Sequence, residues 1–403
     1  MNAAKQGAPI GVYVHFPWCL AKCPYCDFLS VAAERPAIPH ERYADAVTAE
    51  LARRRTALGP RRLRSVFFGG GTPSLWEPRQ LGRVLAAIRE AFPSDAGDPD
   101  PEISVECNPS SLDRARAEAL LGVGANRLSI GVQGLDAERL RFLGRLHDPE
   151  RALGAVKDAL AAGAARVSAD LIFGVAGQAP AQAAAEVLAV AALGVGHVSA
   201  YALTIEPGTL FGALAANGRL PLLPDDTVAE AFLAVDAALT GAGFEHYEIS
   251  NYARPGERAR HNLGYWSGDD YLGLGCGAWG TVTTASGRLR YRNTPAPERY
   301  TASADAWRDA ELDTVQPGGL VANVEPIDAE TALRERLMLG LRLREGFDLE
   351  RAAGELGVEA WPRSRARAAD RLVDRGRLER EAGVLRIPQQ AWLLADATIG
   401  ELL

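Results

Sequence analysis

Six short β-type runs, each followed by a helix-period stretch, occupy about the first half of this 403-residue chain. That alternation limits the fold more than any other feature. The runs lie at 11–16, 63–68, 102–107, 127–132, 166–173 and 197–203. Helical stretches follow at 39–58, 75–92 (interrupted by Pro78), 112–122, 149–162, 181–193 and 227–242. Strands joined through helices pair in parallel, because a parallel crossover needs a dozen residues or more. The expected fold class is therefore α/β. The chain is too short here for eight comfortable units, so a partial (β/α)6 barrel is expected rather than a closed one. Glu106, Gln133 and Asp170 sit at successive strand ends and point into one crevice, the usual ligand face of such folds.

The first run delivers Cys19-Leu20-Ala21-Lys22-Cys23-Pro24-Tyr25-Cys26, which holds three of the five cysteines. Thiolates this close on a turn suit a soft metal centre. In a four-iron cluster three cysteines hold three irons and leave the fourth open to a ligand. Structural zinc or a metal-free thiol cluster are the alternatives, and a zinc ion's fourth ligand would come from Cys107, Cys276 or a histidine. An odd cysteine count in a chain this long argues against a disulfide framework. Gly69-Gly70-Gly71 ends the second run. Three glycines there make either a tight turn or a place where backbone approaches a ligand.

Composition narrows the partners. With 47% hydrophobic and 24% charged residues, the chain can bury a core larger than one domain needs. A net charge of -7 makes the surface no general magnet for nucleic acid. There is no apolar stretch near 18 residues, and residues 1–9 lack the basic-then-apolar order of a secretory signal. The expectation is a cytoplasmic protein with reduced thiols.

Aromatic, histidine and glycine residues crowd 244–252, 261–266 and 271–280, which suits a flat ligand stacked among rings. His261 alternatively caps a helix or fills a core corner. Helices at 328–341, 349–356 and 361–375, followed by a hairpin at 378–387, predict a mainly helical, winged-helix-like domain. Its arginines 363, 365, 367, 371, 375, 377 and 380 interleave with Asp370, Asp374, Glu379 and Glu381. A solvated face or domain contact is expected there, and no nucleic acid. The expected division is a partial barrel over 1–243, a substrate-associated segment over 244–320 that extends the core, and the carboxyl-terminal domain over 321–403.

Tyr13-Val14-His15-Phe16-Pro17-Trp18-Cys19, continuing to Asp27-Phe28, resembles the radical S-adenosylmethionine (SAM) superfamily. Phe67 to Ser74, Glu106-Cys107-Asn108-Pro109, Gly131-Val132-Gln133 and Asp170 to Gly174 recur in that order. Tyr247 to Tyr252 and His261-Asn262-x-x-Tyr265-Trp266 complete a match that covers nearly the whole chain. The resemblance is to the branch of the oxygen-independent coproporphyrinogen III oxidases and related heme chaperones. It implies a [4Fe-4S] cluster on Cys19, Cys23 and Cys26, with SAM on the open iron and an electron donor that reduces the cluster. It places Gly70, Gly71 and Thr72 at the methionine end, Glu106, Gln133 and Asp170 on polar groups of SAM, Arg145 on its carboxylate, and Tyr13 lining the site.

Within the branch, the oxidases carry a fourth cysteine two residues past the third. Here that residue is Phe28. This and the His261–Trp266 motif match the heme-chaperone subgroup. The resemblance then implies heme as a further cofactor, with His261 in contact or as axial ligand and Tyr265 and Trp266 flanking the macrocycle. It also implies an apo-hemoprotein acceptor, respiratory by analogy, and allows peripheral contact with membrane-bound partners. Trp279 stands where related chains carry histidine. The alternatives are a porphyrinogen oxidase, another radical-SAM tetrapyrrole enzyme such as a ring-opening methyltransferase, or a nucleic-acid-linked regulator.

Overall fold

Strand β1 (Pro9–Phe16) lies in the middle of a 12-stranded sheet and reads apolar along its length. Ile10, Val12, Val14 and Phe16 are each fully buried, worth about 1.5–3 kcal/mol apiece. A computed structural model describes residues 7–94, 97–302 and 319–403. Residues 1–6 of the amino-terminal stretch discussed above, and residues 303–318 of the segment 244–320, lie outside the described residues.

From β1 the sheet runs in parallel through β2 (Arg62–Gly70), β3 (Glu102–Cys107), β4 (Arg127–Gln133), β5 (Arg166–Phe173) and β6 (His197–Ala202). The intervening helices are α1 (His40–Leu58), α2 (Pro78–Ala91), α3 (Arg114–Gly122), α4 (Ala137–Phe142), α5 (Pro149–Ala161) and α6 (Pro180–Ala191). They cover one face, as a partial barrel requires. Pro78 does not break a helix. It opens α2, because a proline at the first helical position gives up only an amide that had no partner. A short 3-10 turn, Pro73–Leu75, precedes it.

Beyond β6 come α7 (Leu210–Ala216) and α8 (Asp225–Gly241), then β7 (Glu245–Glu248) and β8 (Asn251–Ala253) on one sheet edge. Helix α9 (Arg260–Trp266) leads to β9 (Tyr271–Leu274), which returns to pair in parallel with β1. Strands β10 (Trp279–Thr284), β11 (Gly287–Asn293) and β12 (Val321–Ile327) then extend the other edge in antiparallel order.

At the carboxyl end, α10 (Ala329–Gly340), α11 (Leu349–Leu356), α12 (Arg363–Asp374) and α13 (Ala395–Leu402) enclose a separate apolar cluster built on Leu333, Leu337, Leu349, Leu372 and Leu385. A three-stranded wing packs beside them. Many of its arginines are matched by acids: Arg371 and Arg375 face Glu401, and Arg380 faces Glu350 while lying over the Trp361 ring. Arg365 is buried and donates to the Leu402 and Ala360 carbonyls.

Candidate cofactor site

The cysteine loop leaves the carboxyl end of β1 and is closed by backbone. A two-residue parallel pair joins Trp18–Cys19 to Val31–Ala32, and Cys26 turns back on Cys23 through its amide. Gly71 and Thr72 donate their amides to the Phe16 and Trp18 carbonyls at 2.7 and 2.8 Å. Only glycine fits at Gly71, where a Cβ would lie 2.6 Å from the Trp18 carbonyl oxygen. Gly71→Ala should therefore push the loop away and lower the iron retained after anaerobic reconstitution several-fold, read by iron and sulfide analysis.

His15 fastens the far limb of the loop. Its Nε2 lies 2.8 Å from the Leu29 carbonyl and its Nδ1 2.8 Å from the Tyr13 hydroxyl. Burial holds its pKa down at about 4, so the ring is neutral. A carbonyl only accepts, so Nε2 carries the proton and Nδ1 accepts from Tyr13. Tyr13 thus bonds along the strand and packs on Phe67.

Two thiols accept hydrogen bonds from side chains that flank the loop. Thr72 donates to Cys19 Sγ at 3.4 Å, and Arg145 donates to Cys23 Sγ at 3.4 Å. Burial raises the Cys19 thiol pKa, and it pushes Cys26 up to about 11. Cys107 and Cys276 are elsewhere and buried, their thiols donating to the Val105 and Thr294 carbonyls. Among the described residues no three His, Cys, Asp or Glu side chains converge as a single ion needs. A four-iron cube asks for something different, thiolates at separate corners, which a loop with three partly exposed cysteines can supply.

Beside the loop a cavity of about 460 Å³ opens into the barrel, with Cys26, Phe28, Glu106, Gln133 and Asp170 in its wall. Glu106 accepts from the Gly70 amide at 3.1 Å. Burial, and then the charge of Asp170, push its pKa up to about 8 against that hydrogen bond. Asp170 accepts from Ser129 at 2.8 Å and Ser168 at 3.4 Å, and Ser199 also bonds to it. Burial raises its pKa while these hydroxyls oppose the shift. Gln133 takes a left-handed backbone, φ 66°, that few non-glycine residues adopt. Arg145 donates to the Gly131 carbonyl at 3.2 Å, and its buried Nε has no partner. That unmatched donor suits a carboxylate ligand. Arg145 lines a small cleft with Cys23 and Thr72, next to the cavity rather than in it.

Sequence reading missed Phe67, Ser129, Ser168 and Ser199. The signal was available: on β4 to β6 these serines share the period-two face with Asp170 and turn polar groups inward.

The His261 group lies at the floor of that cavity, whose wall also includes Phe67 and Asn262. Four residues along β2 separate Ser65 from Gly69, about 13 Å of strand, and His261 packs at the Ser65 end. Its Nδ1 meets Ser65 Oγ at 2.9 Å and its Nε2 meets Tyr265 Oη at 2.9 Å. Phe67 stacks on it at 5.2 Å. The amides of Arg260 and His261 bond to the Glu102 carboxylate, so α9 plugs the bottom of the barrel. Axial ligation by His261 does not fit this arrangement, because both ring nitrogens are engaged and the residue is 1% exposed. Tyr265 is held by the same bond, and the Trp266 indole nitrogen is buried without a partner. His261→Ala should cost about 2–4 kcal/mol of stability, read from a urea midpoint, through a cavity and lost hydrogen bonds.

A family model for the radical SAM superfamily matches residues 13–186, and one for the HemN C-terminal domain matches residues 327–394. The chain is 36% identical to heme chaperone HemW of Mycobacterium tuberculosis, over 100% of this chain and 96% of that protein. It is 40% identical to heme chaperone HemW of Escherichia coli, over 72% of this chain and 75% of the relative. Among solved structures, coproporphyrinogen III oxidase (HemN) from Escherichia coli, a radical SAM enzyme, superposes with a TM-score of 0.80 at 21% identity, covering 99% of this chain and 91% of the other. At that identity the likeness establishes the shared fold.

Proposed function

We propose, of a chain that belongs to the radical SAM superfamily and within it to the family of the heme chaperone HemW, that it binds heme and hands it to acceptor proteins. The observation that carries this is relatedness to a heme chaperone along the entire chain. Phe28, standing where an oxidase carries a further cysteine, favours the same reading over porphyrinogen oxidation.

In this reading Cys19, Cys23 and Cys26 hold a [4Fe-4S] cluster. Gly70, Gly71, Thr72 and Arg145 receive the methionine end of SAM, and Glu106, Gln133 and Asp170 its remaining polar groups. When bound, cluster and SAM supply reductive cleavage of a carbon–sulfur bond. The chain's own contribution is positional. Arg145 offers a fixed guanidinium to a carboxylate, Glu106 gives up or keeps a proton beside the Gly70 amide, and the serines hold Asp170 in one rotamer. Tyr13 and Phe67 back the wall and exclude water.

An electron donor for the cluster and a respiratory acceptor complete the proposal. Among the described residues no helix is long and apolar enough to cross a membrane, so contact with a membrane-bound acceptor would be peripheral.

The test is a paired assay under anaerobic conditions. Heme-loaded protein should transfer heme to an apo-hemoprotein, seen as the acceptor's absorption spectrum. The same preparation with reductant, SAM and coproporphyrinogen III should release no carbon dioxide. Stoichiometric decarboxylation would return the protein to the oxidases.

A further inference from the structure

We infer that heme docks on the rim of the sheet extension, stacked on Trp279 with a propionate on Arg292. The inference rests on the heme-handling reading and gives it a location. The central cavity, about 460 Å³, is of the size that one small-molecule ligand fills. In the heme-handling reading SAM takes that cavity, and the macrocycle is placed outside the barrel.

The rim beside the cysteine loop has what a flat, anionic ring needs. Trp279 begins β10 and is 40% exposed, although indoles are usually well covered. Arg292 stands opposite it in the β10–β11 register, its guanidinium 5.5 Å from the indole centroid. The other arginines on that face of β11 have acids: Arg288 faces Asp270, and Arg290 faces Glu325 and Glu335. Among the described residues Arg292 has no carboxylate, and its Nε is buried without a hydrogen-bond partner. On its other side, across β12, stands the uncharged Asn323. A cation left unmatched beside an exposed aromatic is complementary to a carboxylated π-system.

The pair is also close to the cofactor site. Gly277, two residues before Trp279, packs against the loop so tightly that a Cβ would fall 2.2 Å from Leu29. Next to Leu29 is Phe28, 58% exposed, in the mouth of the central cavity. A macrocycle on Trp279 therefore lies toward the cluster loop, two residues along β10 from Thr281, which stands level with Tyr271, Gly11 and Ser65 at the His261 end.

The experiment uses the full chain with its cluster reconstituted, titrated with hemin and separately with hemin dimethyl ester, whose carboxylates are masked. Trp279→Ala should weaken hemin binding about tenfold, the scale of one lost aromatic stack, and Trp279→Phe should recover most of it. Arg292→Gln should weaken hemin about tenfold and leave the ester unaffected. Circular dichroism and the cluster's electron paramagnetic resonance signal should match wild type in each variant. Wild-type hemin affinity in both Trp279→Ala and Arg292→Gln overturns the location and leaves the heme reading standing. Weakening by His261→Ala alone does the same. Failure of the wild-type chain to bind hemin overturns both.

Discussion

Cys23→Ala should leave a folded protein that retains no four-iron cluster, with iron and acid-labile sulfide at background after anaerobic reconstitution. The reason is geometric redundancy, or its lack. Cys107 and Cys276 are buried and turned to backbone carbonyls, so neither can replace the missing corner. The loop is held by backbone pairs and by His15, not by the cluster, so it should keep its path. Arg145 loses its contact to Cys23 Sγ, which costs about 1–2 kcal/mol. Hemin affinity should remain, since the proposed rim site uses none of the cysteines. A cluster retained at wild-type stoichiometry would remove Cys23 from the ligand set.

The second large effect is the dependence of SAM affinity on pH. Burial, and then the charge of Asp170, raise Glu106 to about 8. Below that pH it is protonated, and a cationic ligand arriving beside it must expel the proton. Affinity should therefore rise with pH, by up to about tenfold per unit between roughly pH 6 and 8, and level off above. The sign follows from the group: a raised carboxyl pKa penalises the ionised form, and a cation favours that form. Glu106→Gln should flatten the profile and set it at or below the low-pH level. Equilibrium dialysis with labelled SAM across pH 6–9 measures both. An unchanged profile in Glu106→Gln would place the titrating group elsewhere.

How much of this was legible in the chain depends on the range of the interactions. Glu106, Gln133 and Asp170 could be placed in one crevice because each ends an apolar run and parallel strands share a ligand end. The three serines around Asp170 follow the same period-two rule and were readable in principle. The role of Pro78 depends on its position at a helix start rather than inside one, and the two alternatives differ by a shift of three residues. The strands over 271–293 were less legible, because dense glycine and aromatic residues serve both a packed edge and a stacked ligand.

His261 shows the limit most directly. As a motif it offers an imidazole beside two aromatics. Only the packing of β2 against α9 shows that both nitrogens are bonded, to Ser65, 196 residues away in the chain, and to Tyr265. Trp279 and Arg292 are the converse. Thirteen residues apart, they carry no shared motif, and the antiparallel register makes them neighbours.

By itself the sequence determined the cysteine triad, the glycine turn and the order of strands and helices. Each is a local pattern, fixed by spacing and by backbone preference over a few residues. The tertiary structure decided which polar groups were left without partners: Arg145 Nε beside the cluster loop, Arg292 on the rim, and neither nitrogen of His261. Satisfaction of a buried or cationic group is a sum over every neighbour in space, and a linear chain does not state who those neighbours are.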